Sequence, residues 1–430
     1  MRIKVGVMFG GKSVEHEISI ISAIQAIASM DSEKYDVIPI YITKNNEFYV
    51  GPSIGEIENY RNISALLKES TRVILVNDGG LVKLIKYPAK RFSSSYVDYI
   101  DVAFPIVHGT NVEDGTLQGF LSMLDVPYVG CDVVSSAVGM DKYVMKTVLK
   151  DNNIPVLDCL CFNAKEYDGD NDAVVDAIEK RIGFPVIVKP VNLGSSIGIS
   201  KAETREKLFD SLDMAFCYAD KVLVERAVQN LKEINCSVCG DYEHAEPSEC
   251  EEPVNSDEIL SFSDKYLSSG NSGGAKSGKL GGAKAGGKLG GAKSGGGAKS
   301  GMASLKRKIP AEITDEQKKT IQKYAVDAFK CLGCNGVSRI DFMMDTKSGE
   351  IFLNEINTIP GSLSFYLWEP VGVPYSKLLD KMISLALKRE REQEGITYAF
   401  ESNVLEGVSF GGGAKGAKGG KFGGAKGSKM

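Results

Sequence analysis

Residues 338–361 read Ser338-Arg-Ile-Asp341-Phe-Met-Met-Asp345-Thr-Lys-Ser-Gly349-Glu-Ile-Phe-Leu-Asn354-Glu355-Ile-Asn357-Thr-Ile-Pro-Gly361. The apolar runs 338–344 and 350–353 predict two strands, and Asp345-Thr-Lys-Ser-Gly349 between them is rich in turn formers, so the pair reads as a hairpin. Side chains alternate along a strand, which puts Arg339 and Asp341 on one face and likewise Glu355 and Asn357. Hard cations take oxygen ligands, and Mg²⁺ keeps waters and substrate phosphates beside one or two carboxylates. Asp341, Glu355 and Asn357 therefore predict a magnesium site. A plain solvated strand face would explain one such pair, but not polar groups at the same spacing in both strands.

Working outward, residues 1 to about 141 alternate apolar strands (Ile3 to Phe9, Asp36 to Thr43, Tyr99 to Val107) with helical stretches (Glu17 to Met30, Thr116 to Leu124). That is the pattern of an α/β domain on a parallel sheet. Gly6-Val-Met-Phe-Gly-Gly-Lys-Ser13 has the letters of a Walker phosphate loop, but Val7 to Phe9 continue the strand, so the match is a decoy. Glu15 falls at a helix start beyond a strand end, where open α/β sheets collect ligands. It can hold an ammonium there, or serve only as an acid favoured by the helix dipole. His108-Gly-Thr-Asn-Val-Glu-Asp-Gly115 is a second polar loop at a strand end. His108 reads either as a substrate contact or as a hydrogen-bonded structural residue.

From 142 to about 240 the pattern predicts helix Lys142 to Lys150, strand Leu157 to Phe162, helix Asp172 to Ile182 and strand Pro185 to Lys189. The glycine turn Gly194-Ser195-Ser196-Ile-Gly198 then joins two strands without a following helix. Its backbone N–H groups and hydroxyls suit phosphate, and Lys189 supplies a positive charge. Glu225 and Glu233, at the ends of apolar strands, can hold a base and a ribose.

The chain's 430 residues predict two or three domains. No run of eighteen apolar residues occurs and Met1-Arg-Ile-Lys-Val5 opens into a strand, so we expect no transmembrane segment, no signal peptide and a cytoplasmic protein. Nine cysteines without a compact framework suggest reduced thiols; Cys236/Cys239 and Cys331/Cys334 have zinc-like internal spacing but lie too far apart in sequence to favour zinc. The net charge of −5 is uneven, because residues 270–300 carry six lysines and 411–430 five, with no acid in either, leaving an acidic remainder.

These stretches together resemble the ATP-grasp superfamily and, within it, the D-alanine:D-alanine ligases. The likeness runs from Met1 to about 393 on Phe9-Gly-Gly-Lys-Ser-Val-Glu-His-Glu-Ile-Ser19, Met140-Asp-Lys142, Lys189-Pro with Gly194-Ser-Ser-Ile-Gly198, Lys265-Tyr266, Arg339-Ile-Asp341 and Asn354-Glu-Ile-Asn-Thr-Ile-Pro-Gly361. It implies an α/β domain over 1–141 followed by a two-lobed ATP-grasp fold, with a central lobe over 142–240 and a C-terminal lobe over 241–393. It implies ATP and two Mg²⁺ ions, or Mn²⁺ in their place, on Asp341, Glu355 and Asn357. Lys142, Lys189, Ser195, Ser196 and Lys265 would meet the nucleotide, Glu225 and the Val228 backbone its adenine, and Glu233 its ribose. Glu15 would hold the first D-alanine's ammonium. Arg339 and the Gly361 N–H would stabilise an oxyanion, and Glu15, Ser195 and Tyr266 would close a loop over the site. A homodimer and a role in peptidoglycan synthesis are expected with it.

Three departures stand out. Val112 occupies a place where the family has glycine, so that turn must suit a β-branched residue. After Gly361 the chain reads Ser-Leu-Ser-Phe-Tyr366-Leu367-Trp368 where many relatives have Met-Thr and then Ser-Leu, so Tyr366 and Leu367 stand where the second substrate would be met. Tyr266 favours D-alanine as acceptor, with D-serine and D-lactate as alternatives. Finally, 269–301 and the tail within 394–430 repeat Gly-Gly-Ala-Lys and predict disordered spacers, or basic arms that contact acidic partners. A rival reading is a non-catalytic nucleotide-binding scaffold tethered by those arms.

Overall fold

A computed structural model describes residues 2–89, 94–194, 197–254 and 307–398. Ser195, Ser196, Lys265, Tyr266, the insert and the tail from 399 onward lie outside the described residues. Met1–Glu390 form one compact unit.

The first sheet contains β1 (Ile3–Gly10), β2 (Tyr35–Ile42), β3 (Phe48–Val50), β4 (Thr71–Asp78), β5 (Leu81–Lys86), β6 (Tyr96–Ile100) and β7 (Val102–Pro105), in the order β6-β5-β4-β3-β2-β1-β7. Strand β1 is parallel to β2 and β7, and its Val5, Val7, Met8 and Phe9 are buried, as a strand covered on both faces requires. The expected single strand from Tyr99 to Val107 is instead two. It breaks at Asp101, whose carboxylate accepts the Lys4 N–H at 2.8 Å, and its two pieces take different partners, β6 pairing with β5 and β7 with β1. Strands β3 to β5 were not legible as strands, because Ile74 and Val76 on β4 point outward and blur the alternation with buried Val73 and Leu75.

The second sheet is antiparallel, with β8 (Cys159–Asn163), β9 (Val186–Pro190), β10 (Ser200–Ala202) and β11 (Lys221–Arg226) in the order β10-β9-β11-β8. Helices Asn171–Arg181 and Arg205–Phe216 cover it with Val175, Ile178, Leu208 and Leu212. The third sheet holds β12 (Leu231–Gly240), β13 (Ala245–Pro253), β14 (Arg307–Lys308), β15 (Gly336–Asp345) and β16 (Ile351–Asn357), in the order β14-β13-β12-β15-β16. Helix Asp315–Cys331 packs Ile321, Ala325, Ala328 and Phe329 into that sheet's core, and Thr314 and Gln317 close its first turn as a capping box. The expected boundary at 240 falls inside this sheet, between its neighbouring strands β12 and β13. Among the described residues no helix is long and apolar enough to cross a membrane.

The Walker-like letters lie in strand β1 and the turn after it, as the apolar run predicts. Val112 is buried without a positive φ; its neighbour Asn111 takes φ 69° instead, and a Cβ on Gly11 would lie 2.4 Å from the Val112 side chain. Gly11 thus makes the room that Val112 fills.

Candidate active site

The hairpin β15–β16 forms with the predicted faces. Arg339 stands opposite Asn357, and Asp341 opposite Glu355. Arg339 grips Asp341 with two bonds, Nε to Oδ1 and Nη2 to Oδ2, both 2.7 Å, and Asn357 Nδ2 donates to Asp341 Oδ2 at 3.0 Å. With its amide nitrogen so used, Asn357 keeps its carbonyl oxygen as the group it could offer a cation. A carboxylate has about four lone-pair sites, so Asp341 can bridge Arg339 and a metal. Two carboxylates and an amide oxygen fit a hard divalent ion that shares its shell with phosphate. The pairing slips after Asp341: Phe342 meets Leu353, which leaves Asn354 as the extra residue of a bulge. Bulges re-aim side chains, and Asn354 Oδ1 accepts Lys189 Nζ at 2.9 Å.

A buried basic group faces this wall. Lys142 and Lys146 lie one turn apart on helix Lys142–Asp151, hence on one face. Lys142 Nζ donates to the Leu193 carbonyl at 2.7 Å and stands 3.5 Å from Glu355 Oε2. Lys146 and Lys189 each approach Glu225 to 2.5 Å, on opposite carboxylate oxygens. Lys189 reaches it diagonally from β9 to β11, since Lys189 pairs with Leu223 and Glu225 with Ile187. Burial alone would raise the Glu225 carboxyl, but the two ammonium charges outweigh it and hold it down at about 2. Two lysines oriented by one ionised carboxylate, beside a third, make a fixed positive field suited to phosphate.

The N-terminal loops form the opposite lip. Glu15 precedes helix His16–Ser29 and is buried; Gly109 and Gly194 both approach its carboxylate so closely that added Cβ atoms would lie 2.7 and 3.1 Å from Oε2. His108 Nδ1 donates to the Ile359 carbonyl at 2.8 Å, and its Nε2 accepts from the Ser22 hydroxyl at 2.9 Å. Burial pushes His108 below the usual histidine range, which favours this neutral tautomer. Glu113 accepts from Gly109 N–H at 2.9 Å and Ile359 N–H at 2.8 Å. Burial, assisted by the Glu15 charge and opposed by these donors, pushes Glu113 up to about 8. Residues from all three regions line one cleft, among them Glu15, His108, Lys142, Arg339, Glu355 and Asn357.

Two family models match the chain: "D-ala D-ala ligase N-terminus" over residues 4–131, and "D-ala D-ala ligase C-terminus" over 148–277 and 298–384. The chain belongs to the D-alanine–D-alanine ligase family. A D-alanine–D-alanine ligase of Thermosipho melanesiensis is 36% identical over 405 residues, 94% of this chain and 98% of the relative. One of Caldicellulosiruptor bescii is 38% identical over 406 residues, 93% and 99% of the two chains. Among solved structures, the D-alanine-D-alanine ligase from Coxiella burnetii superposes with TM-score 0.71 at 28% identity, covering 91% of this chain and 96% of that one. The VanG D-Ala:D-Ser ligase from Enterococcus faecalis gives 0.70 at 30%, covering 90% and 100%.

In this member of the D-alanine–D-alanine ligase family, the expected residues Glu15, His108, Lys142, Arg339, Glu355, Asn357 and Gly361 line the cleft, and Asp341 is bonded to two of them. Lys189 and Glu225 form the adjoining buried cluster. Val228 lies in the loop after β11 of the second sheet, and Glu233 on β12 of the third. Tyr366 and Leu367 end a turn that starts at Gly361 and are buried. Three residues bonded into this set were missed. Lys146 shows only as the i+4 partner of Lys142, Glu113 only as one polar letter in a loop, and Asn354 only through the bulge.

Gly109→Ala and Gly349→Ala separate two costs, because both glycines have left-handed φ, 83° and 77°, but nothing lies within 4 Å of a Cβ at Gly349. Gly349→Ala is expected to lose about 1 kcal/mol in urea denaturation, the backbone term alone. Gly109→Ala is expected to lose roughly 2 kcal/mol more, because it also drives Glu15 and Ser13 aside.

Proposed function

We propose that this chain is an ATP-dependent ligase that joins two D-alanines through an acyl phosphate to supply D-alanyl-D-alanine for peptidoglycan, acting in the cytoplasm. The observation that carries the reading is the convergence of Glu15, Lys142, Arg339, Glu355 and Asn357 on one cleft in a chain of this family. ATP lies between the second and third sheets. A carboxylate is a poor electrophile, so a donor carboxylate oxygen first attacks the γ-phosphorus and ADP leaves. The acceptor's amine then attacks the acyl carbon, and the tetrahedral intermediate expels phosphate as the amine loses its proton. No protein nucleophile is needed, since positioning and electrostatics suffice for phosphoryl transfer.

Glu15 holds the donor's ammonium. Lys142 and Lys189, with Lys146 beside them, hold the phosphates. Glu225, which also orients Lys146 and Lys189, meets the adenine together with the Val228 backbone, and Glu233 meets the ribose. Two Mg²⁺ ions on Asp341, Glu355 and Asn357, or Mn²⁺ in their place, would neutralise the triphosphate and polarise its γ-phosphoryl group. Arg339 and the Gly361 N–H stabilise the oxyanion of the intermediate. His108 shapes the lip through its two ring bonds. Ser195, Ser196, Lys265 and Tyr266 complete the closed site, excluding water that would hydrolyse the acyl phosphate. The same reading includes a homodimer and basic arms that meet acidic partners.

The test is phosphate release from ATP by the purified chain, with products weighed, when D-alanine is offered alone and together with D-serine or D-lactate. Release that needs both Mg²⁺ and a D-amino acid, with a D-alanyl-D-alanine product, is expected. Hydrolysis indifferent to D-alanine, or none, sinks the reading in favour of a nucleotide-binding scaffold, and a mixed product reassigns the acceptor. The family match skips residues 278–297. Excising 270–300 is therefore expected to leave kcat/KM within about threefold of the parent, as for a spacer that takes no part in the chemistry; abolished turnover would make the insert part of the site.

A further inference from the structure

The acidic wall continues past the metal-ligand pair. Across four neighbouring strands the register runs Glu251 (β13), Asn235 (β12), Asp341 (β15) and Glu355 (β16), each opposite the next. One end of this row meets Lys142 through Glu355. The other meets Arg307, whose Nη1 donates to Glu251 Oε2 at 2.7 Å. Glu251 Oε1 accepts from Asn235 Nδ2 at 3.0 Å and from the Tyr366 hydroxyl at 3.3 Å, and the Arg307 guanidinium lies 3.9 Å from the Tyr366 ring centre.

The pair is almost fully buried, with side-chain exposures of 10% for Arg307 and 2% for Glu251. A buried ion pair adds little net stability over apolar residues of the same volume, but it fixes orientation strongly. What it fixes here is the far end of a strained turn. Ser362, Leu363 and Ser364 take φ of 51°, 51° and 50°, a left-handed run that only surrounding contacts can hold. The near end is held by the first helix: Ser362 N–H donates to Ser22 Oγ at 2.9 Å and Ser362 Oγ to Gln25 Oε1 at 2.7 Å. At the far end Tyr366 is gripped by Glu251 and Arg307, while Ile309 and Phe365 pack against Tyr366 and Leu367. Gly361, at the head of the same turn, lines the cleft.

We infer that Glu251 and Arg307 are positioning residues for the acceptor amino acid, acting through Tyr366 to set the turn from Gly361 to Leu367. The inference rests on the ligase reading and on the place of Tyr366 at the acceptor. Ring and hydroxyl have separate holders. The guanidinium plane lies against the ring, a contact that a lysine's compact ammonium reproduces poorly, and the carboxylate fixes the hydroxyl.

The experiment is steady-state kinetics of Glu251→Gln, Arg307→Met, Arg307→Lys, Tyr366→Phe and the double variant Glu251→Gln/Tyr366→Phe. ATP and D-alanine are varied so that donor and acceptor saturation separate, and Tm is measured alongside. Glu251→Gln and Arg307→Met are expected to raise the acceptor KM tenfold or more, with ATP and donor KM within twofold. Arg307→Lys restores part of the loss. The double variant is no worse than Glu251→Gln alone, because both changes cut one link. With D-alanine and D-serine in competition, the share of mixed dipeptide shifts at least threefold. Acceptor KM unchanged within twofold, an equal rise in ATP KM, or a fall in Tm alone overturns the inference. If Glu251→Gln does not fold, Tyr366→Phe, which keeps its ring under Arg307, decides the matter by its acceptor KM. A parent that makes no dipeptide overturns the ligase reading and this inference together, whereas a productive parent with indifferent variants overturns the inference only.

Discussion

Arg339→Ala is expected to lower kcat by roughly 10³-fold, about 4 kcal/mol of transition-state stabilisation, while ATP KM at saturating Mg²⁺ stays within a few-fold of the parent. The guanidinium is buried and rigidly aimed by its two 2.7 Å bonds to Asp341, so it needs no reorganisation when negative charge develops on the intermediate. The same bonds give the substitution a second consequence. Asp341 loses the fork that orients it while keeping its bond from Asn357, so the Mg²⁺ concentration for half-maximal rate rises as well. Arg339→Lys keeps the charge without the planar fork and is expected to stay at least about tenfold slower than the parent. Steady-state rates at several Mg²⁺ concentrations check both effects. Parallel losses in rate and in ATP affinity, at saturating metal, would contradict a role in the intermediate.

Glu225→Gln should be the most damaging change for stability. It leaves the buried Lys146 and Lys189 ammonium groups without their shared carboxylate, an expected loss of roughly 3–5 kcal/mol at pH 7. Acid tests the cause. The Glu225 carboxyl falls from an ordinary 4.5 to about 2 in the folded chain, so its contribution is fully present above pH 4.5 and disappears as pH drops towards 2. That shift corresponds to about 3 kcal/mol. The gap between parent and variant in urea denaturation should therefore be wide at pH 7 and narrow markedly by pH 3. A gap of equal size at both pH values would mean that lost packing, not the charge cluster, sets the cost. The variant's ATP KM should also rise about tenfold or more, since the phosphate-facing lysines lose the group that aims them.

Much of the site is legible in the sequence. The hairpin's faces followed from alternation alone, and Arg339, Asp341, Glu355 and Asn357 meet as their spacing requires. The glycine turn joins β9 to β10 without a helix directly after its glycines, as its letters suggested. Lys146 was not legible, because a lysine on an amphipathic helix is ordinarily a solvated one; here it is buried and paired with Glu225 of β11. Glu113 looked like a turn residue, yet its carboxylate ties the His108 loop to Ile359, 246 residues away. Strands β3 to β5 of the first sheet escaped notice because outward-facing apolar residues hid their period.

Local order and the identity of the chemistry belong to the sequence by itself. A two-residue period places carboxylates on one side of a strand whatever the strand packs against, and the clustered motifs from Phe9 to Gly361 already implied the family. The tertiary structure alone decided which distant cation answers which anion: Glu225 with Lys146 and Lys189, Glu251 with Arg307. Charge pairing and burial depend on distances in space between residues as far apart as 251 and 307 or 146 and 225. Strand periodicity carries no information about such distances until the sheets have packed.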